Sequence, residues 1–159
     1  MTSNTDDSDA GAEALACWQS GLFCAESVAV TLARRQGIET ALLPAMASGF
    51  CGGMSHTAGS CGAVTGAVMG LGLAFGRTGP YETTERIYRA VATLTRQFAE
   101  EFGSTTCVGL LGCDLATPEG QQAFRGDKLH LRCETFTTRA AKLAADLIEA
   151  ELPRPVPER

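Results

Sequence analysis

Seven cysteines, at positions 17, 24, 51, 61, 107, 113 and 133, are the residues of this 159-residue chain best equipped for chemistry. A thiolate is at once a nucleophile, a redox centre and a soft metal ligand. Four of them, Cys24, Cys61, Cys107 and Cys133, fall at or near the start of a predicted helix. Unpaired N–H groups and the helix dipole favour negative charge there, and thiolates so placed have pKa values lowered from about 8.5 toward roughly 3.5 to 7.5. Converging in one core, four such groups would form a dithiol pair or a soft-metal site. The competing reading of any single cysteine is a small buried hydrophobe. No C-x-x-C occurs, so neither a thioredoxin-type pair nor paired zinc knuckles is written here, and without C-x-x-C-H covalent haem attachment is excluded. His56 sits between Cys51 and Cys61 in a glycine-rich loop, as a ligand, a proton donor or a loop histidine bonded to a backbone carbonyl. His130, just before Cys133, reads as a surface residue at a helix start.

The elements that must position these groups are helical. Ala10 to Gln19 is alanine-rich, Gly21 interrupts it, and a second helix runs from about Phe23 to Gln36 with Gly37 as its stop. On that helix Cys24, Val28 and Leu32 recur every four residues, so Cys24 shares the core-facing side. Residues 40 to 76 carry no Asp, Glu, Lys or Arg and hold Cys51, His56 and Cys61, which marks this stretch as the centre of the protein. Its uncharged run from Ala58 to Gly76 is too diluted by glycines to read as a membrane span and is expected to be a buried helix from about Cys61 to Phe75. Gly62, Gly66 and Gly70 line one face of it, and because glycine costs roughly 1 kcal/mol per interior position relative to Ala, another backbone or a cofactor should lie close against that strip.

After the turn at Thr78-Gly79-Pro80 a helix is predicted over Tyr81 to Phe102, with an apolar stripe of Ile87, Val91, Leu94, Phe98 and Phe102 that is core in character. Ser104-Thr105-Thr106 offers capping hydroxyls before Cys107 and a short helical turn closed by Gly112, and Thr117-Pro118 starts another short helix. A last helix, about Leu131 to Leu152, carries Cys133, Phe136, Ala140, Leu143, Ala144 and Leu147 on one face. Period-two alternation is absent. The expected architecture is all-α, a compact bundle of five or six helices around the glycine-rich one. It forms a single domain over 10–152, between a disordered acidic tail at 1–9 and a proline-rich tail at 153–159.

Composition narrows the function. With 45% hydrophobic residues there is mass for one core, and a net charge of −5 leaves no basic surface for nucleic acid. The opening residues have neither the basic nor the apolar region of a secretory signal, so a cytoplasmic protein is expected, in which cysteines are not a disulfide framework. Glu26, Arg77 and Glu82 lie near the motifs in sequence and read as surface charges.

The segment Cys61-Gly62-Ala63-Val64-Thr65-Gly66 is C-G-A-x-x-G, with Phe23-Cys24-Ala25 upstream, Cys107-x-x-Leu110-Leu111-Gly112 downstream and Cys133 heading the last helix. In this order and context, over about residues 15 to 148, the chain resembles the C_GCAxxG_C_C family, described as redox-active proteins. The resemblance implies four functional cysteines, Cys24, Cys61, Cys107 and Cys133. It also implies a link to iron–sulfur chemistry, since the family includes an iron–sulfur-bearing module of split-Soret cytochromes. The chain departs from the pattern in having Cys51 where a glycine is usual after Phe50, and in its extra Cys17 and Cys113.

The leading expectation is a non-enzymatic electron carrier. Cys24, Cys61, Cys107 and Cys133 would ligate an iron–sulfur cluster, Gly62 and Gly66 would let backbone approach it, and Gly52-Gly53 would supply amides to its sulfurs. The ligands are 37, 46 and 26 residues apart, so the fold must assemble the site. The alternative is a metal-free thiol-disulfide oxidoreductase or sulfur-handling enzyme, with Cys61 attacking and Cys24 or Cys51 resolving. A zinc or other soft-metal site is a third class. An electron-transfer partner protein is implied, no nucleic acid and no membrane, and the resemblance carries the expectation of a homodimer.

Overall fold

A computed structural model describes residues 9–151. Of the expected tails at 1–9 and 153–159, residues 1–8 and 153–159 lie outside the described residues, and Asp9 is part of the helical fold as a cap. Every regular element among these residues is a helix: α1 (Ala10–Gln19), α2 (Cys24–Arg35), α3 (Leu42–Ser48), α4 (Cys51–His56), α5 (Gly62–Phe75), α6 (Glu85–Phe102), α7 (Cys107–Leu111), α8 (Pro118–Gly126) and α9 (His130–Glu151). The all-α expectation holds, but nine helices among the described residues replace five or six. The additional ones are short, and α3 and α4 lie in the uncharged stretch, where no alternation of polar and apolar residues marks a helix face.

Local chemistry explains most boundaries. Asp9 caps α1 by accepting from the Gly11 N–H at 2.7 Å. Thr106 and Thr117 cap α7 and α8, accepting from Gly109 and Gly120. Gly103 ends α6 in a left-handed conformation, φ 81°. That helix begins at Glu85 rather than Tyr81, because the Glu82 carboxylate folds back to accept from the Thr78 N–H and hydroxyl, both at 2.9 Å, and holds a turn there.

At the centre, α5 packs against α2, α9 and α6, and α1 covers α2 and α9. Leu32, Leu71, Leu94, Phe98 and Leu110 are almost completely buried where these helices meet. Phe98, Phe102 and Phe136 form an aromatic trio with centroids 4.8 to 6.1 Å apart, joining α6 to α9. The α6 stripe is therefore core, as its period indicates. No helix among the described residues is long and apolar enough to cross a membrane.

The glycine strip on α5 meets a backbone. A Cβ on Gly66 would stand 2.5 Å from the Ala25 carbonyl oxygen and 3.0 Å from its Cα, so α2 lies directly against α5. A side chain on Gly70 would collide instead with the Leu32 side chain. This close approach carries the first residue of α2, Cys24, to the first residue of α5.

Candidate functional site

Three local devices bring the distant cysteines to one place. Cys61 caps α5, and its N–H donates to the Thr105 carbonyl at 2.8 Å, while the Cys107 N–H donates to Gly59 at 3.0 Å. These bonds flank an antiparallel bridge between Ser60 and Thr106 and clip together two cysteines that are far apart in sequence. Cys24 opens α2, and its sulfur rests on Gly62, where a Cβ would overlap it. Cys133 enters from the first turn of α9.

Cys51, the fifth, begins α4, whose following residues wind the wrong way. Gly52, Gly53, Met54 and Ser55 have φ of 62°, 64°, 53° and 58°, and His56 follows at 65°. This is a turn of left-handed helix, costing roughly 1–2 kcal/mol for each non-glycine residue in it. Local bonds hold it: Ser55 Oγ donates to Gly49 O at 2.8 Å, and Gly53 O accepts from Thr57 and Gly59 at 3.3 and 3.1 Å. Gly53 has to be small, since a Cβ there would overlap that of Cys107. The Gly52-Gly53 pair is the one sequence signal of this turn, and it does not reveal that the left-handed winding continues through three residues with side chains.

Cys24, Cys51, Cys61, Cys107 and Cys133 all line a single cavity of about 470 Å³. Its remaining walls are largely apolar, with Phe23, Leu110 and Phe136 among them, and His56, Gln121 and Arg125 bring polar groups to it. His56 is exposed there, and its ring lies against Gly52. Cys17 and Cys113 do not line the cavity. Cys17 accepts from Thr31 Oγ1 at 3.6 Å and Arg34 at 3.7 Å among the α1 and α2 side chains. Gly62 belongs to the cavity wall but Gly66 does not; its space is taken by Ala25, so its role is to set the approach of α2.

The thiols differ from the low-pKa expectation. Burial pushes Cys61 up to about 11, even though the N–H groups of Ala63 and Val64 at the start of α5 act in the opposite direction. Cys133 is pushed up to about 12, by burial and then by the neighbouring Cys61 and Cys107, and burial also raises Cys107. Cys51 is raised chiefly by its hydrogen bond with Cys24, while its sulfur accepts from the N–H groups of Glu26 and Ala25. At Cys61 the helix start does aim donors at sulfur as the sequence indicates, but desolvation outweighs them, and the raised values keep these groups as neutral thiols near neutral pH.

Glu26, read from sequence as a surface charge, is buried instead. It accepts from the Phe23 N–H at 2.8 Å and from Ser48 Oγ at 2.6 Å, tying the start of α2 to the end of α3 beside the cavity. Among the described residues no three His, Cys, Asp or Glu side chains are grouped tightly enough to hold one metal ion.

A family model described as Putative redox-active protein (C_GCAxxG_C_C) matches residues 22–147. The chain belongs to the C_GCAxxG_C_C family. No curated protein and no solved structure matched the chain. The family match spans α2 to most of α9, so it contains every cysteine on the cavity wall. Cys51 stands on the same cavity wall as the other four.

Proposed function

We propose that the cavity holds an iron–sulfur cluster on Cys24, Cys61, Cys107 and Cys133, and that the protein carries electrons. The observation supporting this reading is that four cysteines separated by 37, 46 and 26 residues line one apolar cavity. A single tetrahedral ion at Zn–S distances of about 2.3 Å needs sulfurs roughly 3.8 Å apart, whereas a cluster spreads its four thiolates around several atoms. A wide cavity with thiols distributed on its walls suits the larger group. When bound, such a cluster supplies one-electron transfer.

This chain's own residues then have separate tasks. Cys61 and Cys107 are held on a rigid clip by the Ser60–Thr106 bridge. The Ala63 and Val64 N–H groups donate toward Cys61 sulfur, and donors of this kind help set a cluster's potential. Leu110, Leu111 and Phe136 exclude water from the inner wall. Phe23 lines the cavity yet is 63% exposed, so an electron-transfer partner docking over it would stand one side chain from the thiols.

The test is expression with added iron and purification without oxygen, followed by the visible absorption spectrum and by iron and acid-labile sulfide per chain. A brown protein with matched iron and sulfide, lost in Cys61→Ser, is expected. A colourless, metal-free chain under the same conditions would overturn the reading.

A further inference from the structure

With histidine counted as neutral, Arg125 is the only formally charged side chain lining the cavity, and no carboxylate lines it, although the chain as a whole carries a net charge of −5. Arg125 also differs from the other described arginines. Each of those has a carboxylate, a carbonyl or an aromatic ring as partner, down to Arg77 on the Pro80 carbonyl and Arg132 over the Phe136 ring. Among the described residues the Arg125 guanidinium has none of these. A cation so placed has its partner in what the cavity holds.

Local structure fixes where this charge stands. Thr117 and Pro118 start α8, and Gly120 lies so close to the Asp114 carbonyl that a Cβ on it would overlap that oxygen. Gln121 Nε2 donates to Leu115 O at 3.0 Å, which pins the same helix face. Arg125 follows Gln121 by one turn, and both line the cavity with Phe124 between them. A packed helix, not a loop tip, therefore presents the guanidinium, and its exposure puts it at the mouth rather than on the inner wall.

We infer that Arg125 is the counter-charge of the redox group in the cavity and raises its reduction potential. This rests on the electron-carrier reading and adds to it a positioning residue outside the four cysteines. Four thiolates leave a bound cluster anionic in either oxidation state, and one-electron reduction adds one further negative charge while no bond is made or broken. A fixed cation attracts the reduced form more strongly than the oxidised one, so it favours uptake of the electron. The guanidinium stays charged at any working pH, so the bias is constant rather than pH-switched. Solvent at the mouth screens it, which sets the effect at the scale of an exposed ion pair.

A dye-mediated, oxygen-free redox titration of the iron-loaded full chain gives the midpoint potential, with iron and acid-labile sulfide counted in every variant. Arg125→Gln should keep wild-type iron and sulfide while its midpoint moves negative, so that the ratio of reduced to oxidised protein at the wild-type midpoint falls roughly two- to fivefold. Arg125→Glu should move it further, Arg125→Lys should restore most of it, and added salt should shrink the gap between wild type and Arg125→Gln. Arg77→Gln changes the net charge equally, but Arg77 lies beyond the far end of the 14-residue helix that Cys61 caps, about 20 Å along its axis, and should leave the midpoint in place. An unshifted midpoint in loaded Arg125→Gln, an equal shift in Arg77→Gln, or loss of iron in both Arg125→Gln and Arg125→Lys would each overturn the inference while the cluster reading stands. A colourless, iron-free wild-type chain overturns the cluster reading and this inference with it, so the wild-type iron count tells the two failures apart.

Discussion

Gly66 is the position where the packing that builds the cavity can be tested with one methyl group. A Cβ on it would lie 2.5 Å from Ala25 O, 3.0 Å from Ala25 Cα and 3.1 Å from Ala25 C, all backbone atoms of α2. Ordinary carbon contacts begin near 3.5 Å, so α2 would have to retreat from α5 by up to about 1 Å. Overpacking of this kind costs about 1–3 kcal/mol, partly offset by the roughly 1 kcal/mol that alanine gains over glycine in a helix interior. With a backbone oxygen only 2.5 Å away the upper part of that range, about 2–3 kcal/mol, applies, and the net expectation for Gly66→Ala is a loss of about 1–2 kcal/mol. Gly72 on the same helix has no atom within 4 Å of its would-be Cβ, so Gly72→Ala receives the helix gain alone, about 0.5–1 kcal/mol of added stability.

Identical chemistry on one helix therefore gives opposite signs. Urea unfolding of the reduced chain, followed by circular dichroism, should separate the two variants by about 2 kcal/mol, or some 4–8 °C in Tm for a domain of this size. Moving α2 also draws Cys24 off its seat on Gly62, so Gly66→Ala should alkylate faster at Cys24 while Gly72→Ala does not. A Gly66→Ala protein as stable as the wild type would refute the claim that a bare helix face holds α2 and the thiol it carries in place.

Three further outcomes follow from the same geometry. The buried thiols of Cys61 and Cys133, at about 11 and 12, keep their protons in the folded chain to higher pH than in the unfolded one, where they titrate near the ordinary value. The stability they contribute is complete below about pH 8.5 and is lost as pH rises through their folded values, at up to about 1.4 kcal/mol per unit for each group. Urea midpoints measured on the reduced, metal-free chain should fall from pH 8 to 10, less steeply in Cys133→Ala, and a flat profile would contradict the assigned burial. Met54→Gly should stabilise by about 1 kcal/mol, because φ at this position is 53°, and Met54→Val should destabilise; thermal melts showing the reverse order would deny the left-handed turn. Glu26→Ala leaves the Phe23 N–H without its acceptor, while the Ser48 hydroxyl keeps the Pro44 carbonyl at 2.8 Å but loses its tie to α2, so a loss of about 1–2 kcal/mol is expected, with hydrogen exchange speeding up in α3; unchanged exchange would mean Glu26 does not anchor that helix.

The helices that bound the cavity were legible wherever a helix face alternates with a polar one or a capping residue stands at its end. Ala10–Gln19 begins and ends where composition and Gly21 place it, and the stripe from Ile87 to Phe102 joins the core through Leu94 and Phe98. The uncharged stretch was legible only in part. Its three glycines at four-residue spacing announce a close neighbour, and α2 is that neighbour. Nothing in Leu42–Ser48 or Cys51–His56 announces a helix, because apolar and small residues surround both segments and no periodic contrast remains. The turn after Cys51 is held by local bonds to Gly49 and Gly53 and by the packing of Gly53 against Cys107, a contact between segments far apart in sequence.

The cysteines divide along the same line between what is local and what is not. That Cys24, Cys61 and Cys107 stand at helix starts is a local property of their neighbours, and the structure places each within the first turn or at the cap. Their protonation is set by how much protein surrounds them, which no spacing encodes: at Cys61 the two donating amides are present, and burial still raises the thiol. A buried neutral thiol is a slow nucleophile but becomes a ligand once metal displaces its proton, which suits the proposed roles of Cys61, Cys107 and Cys133.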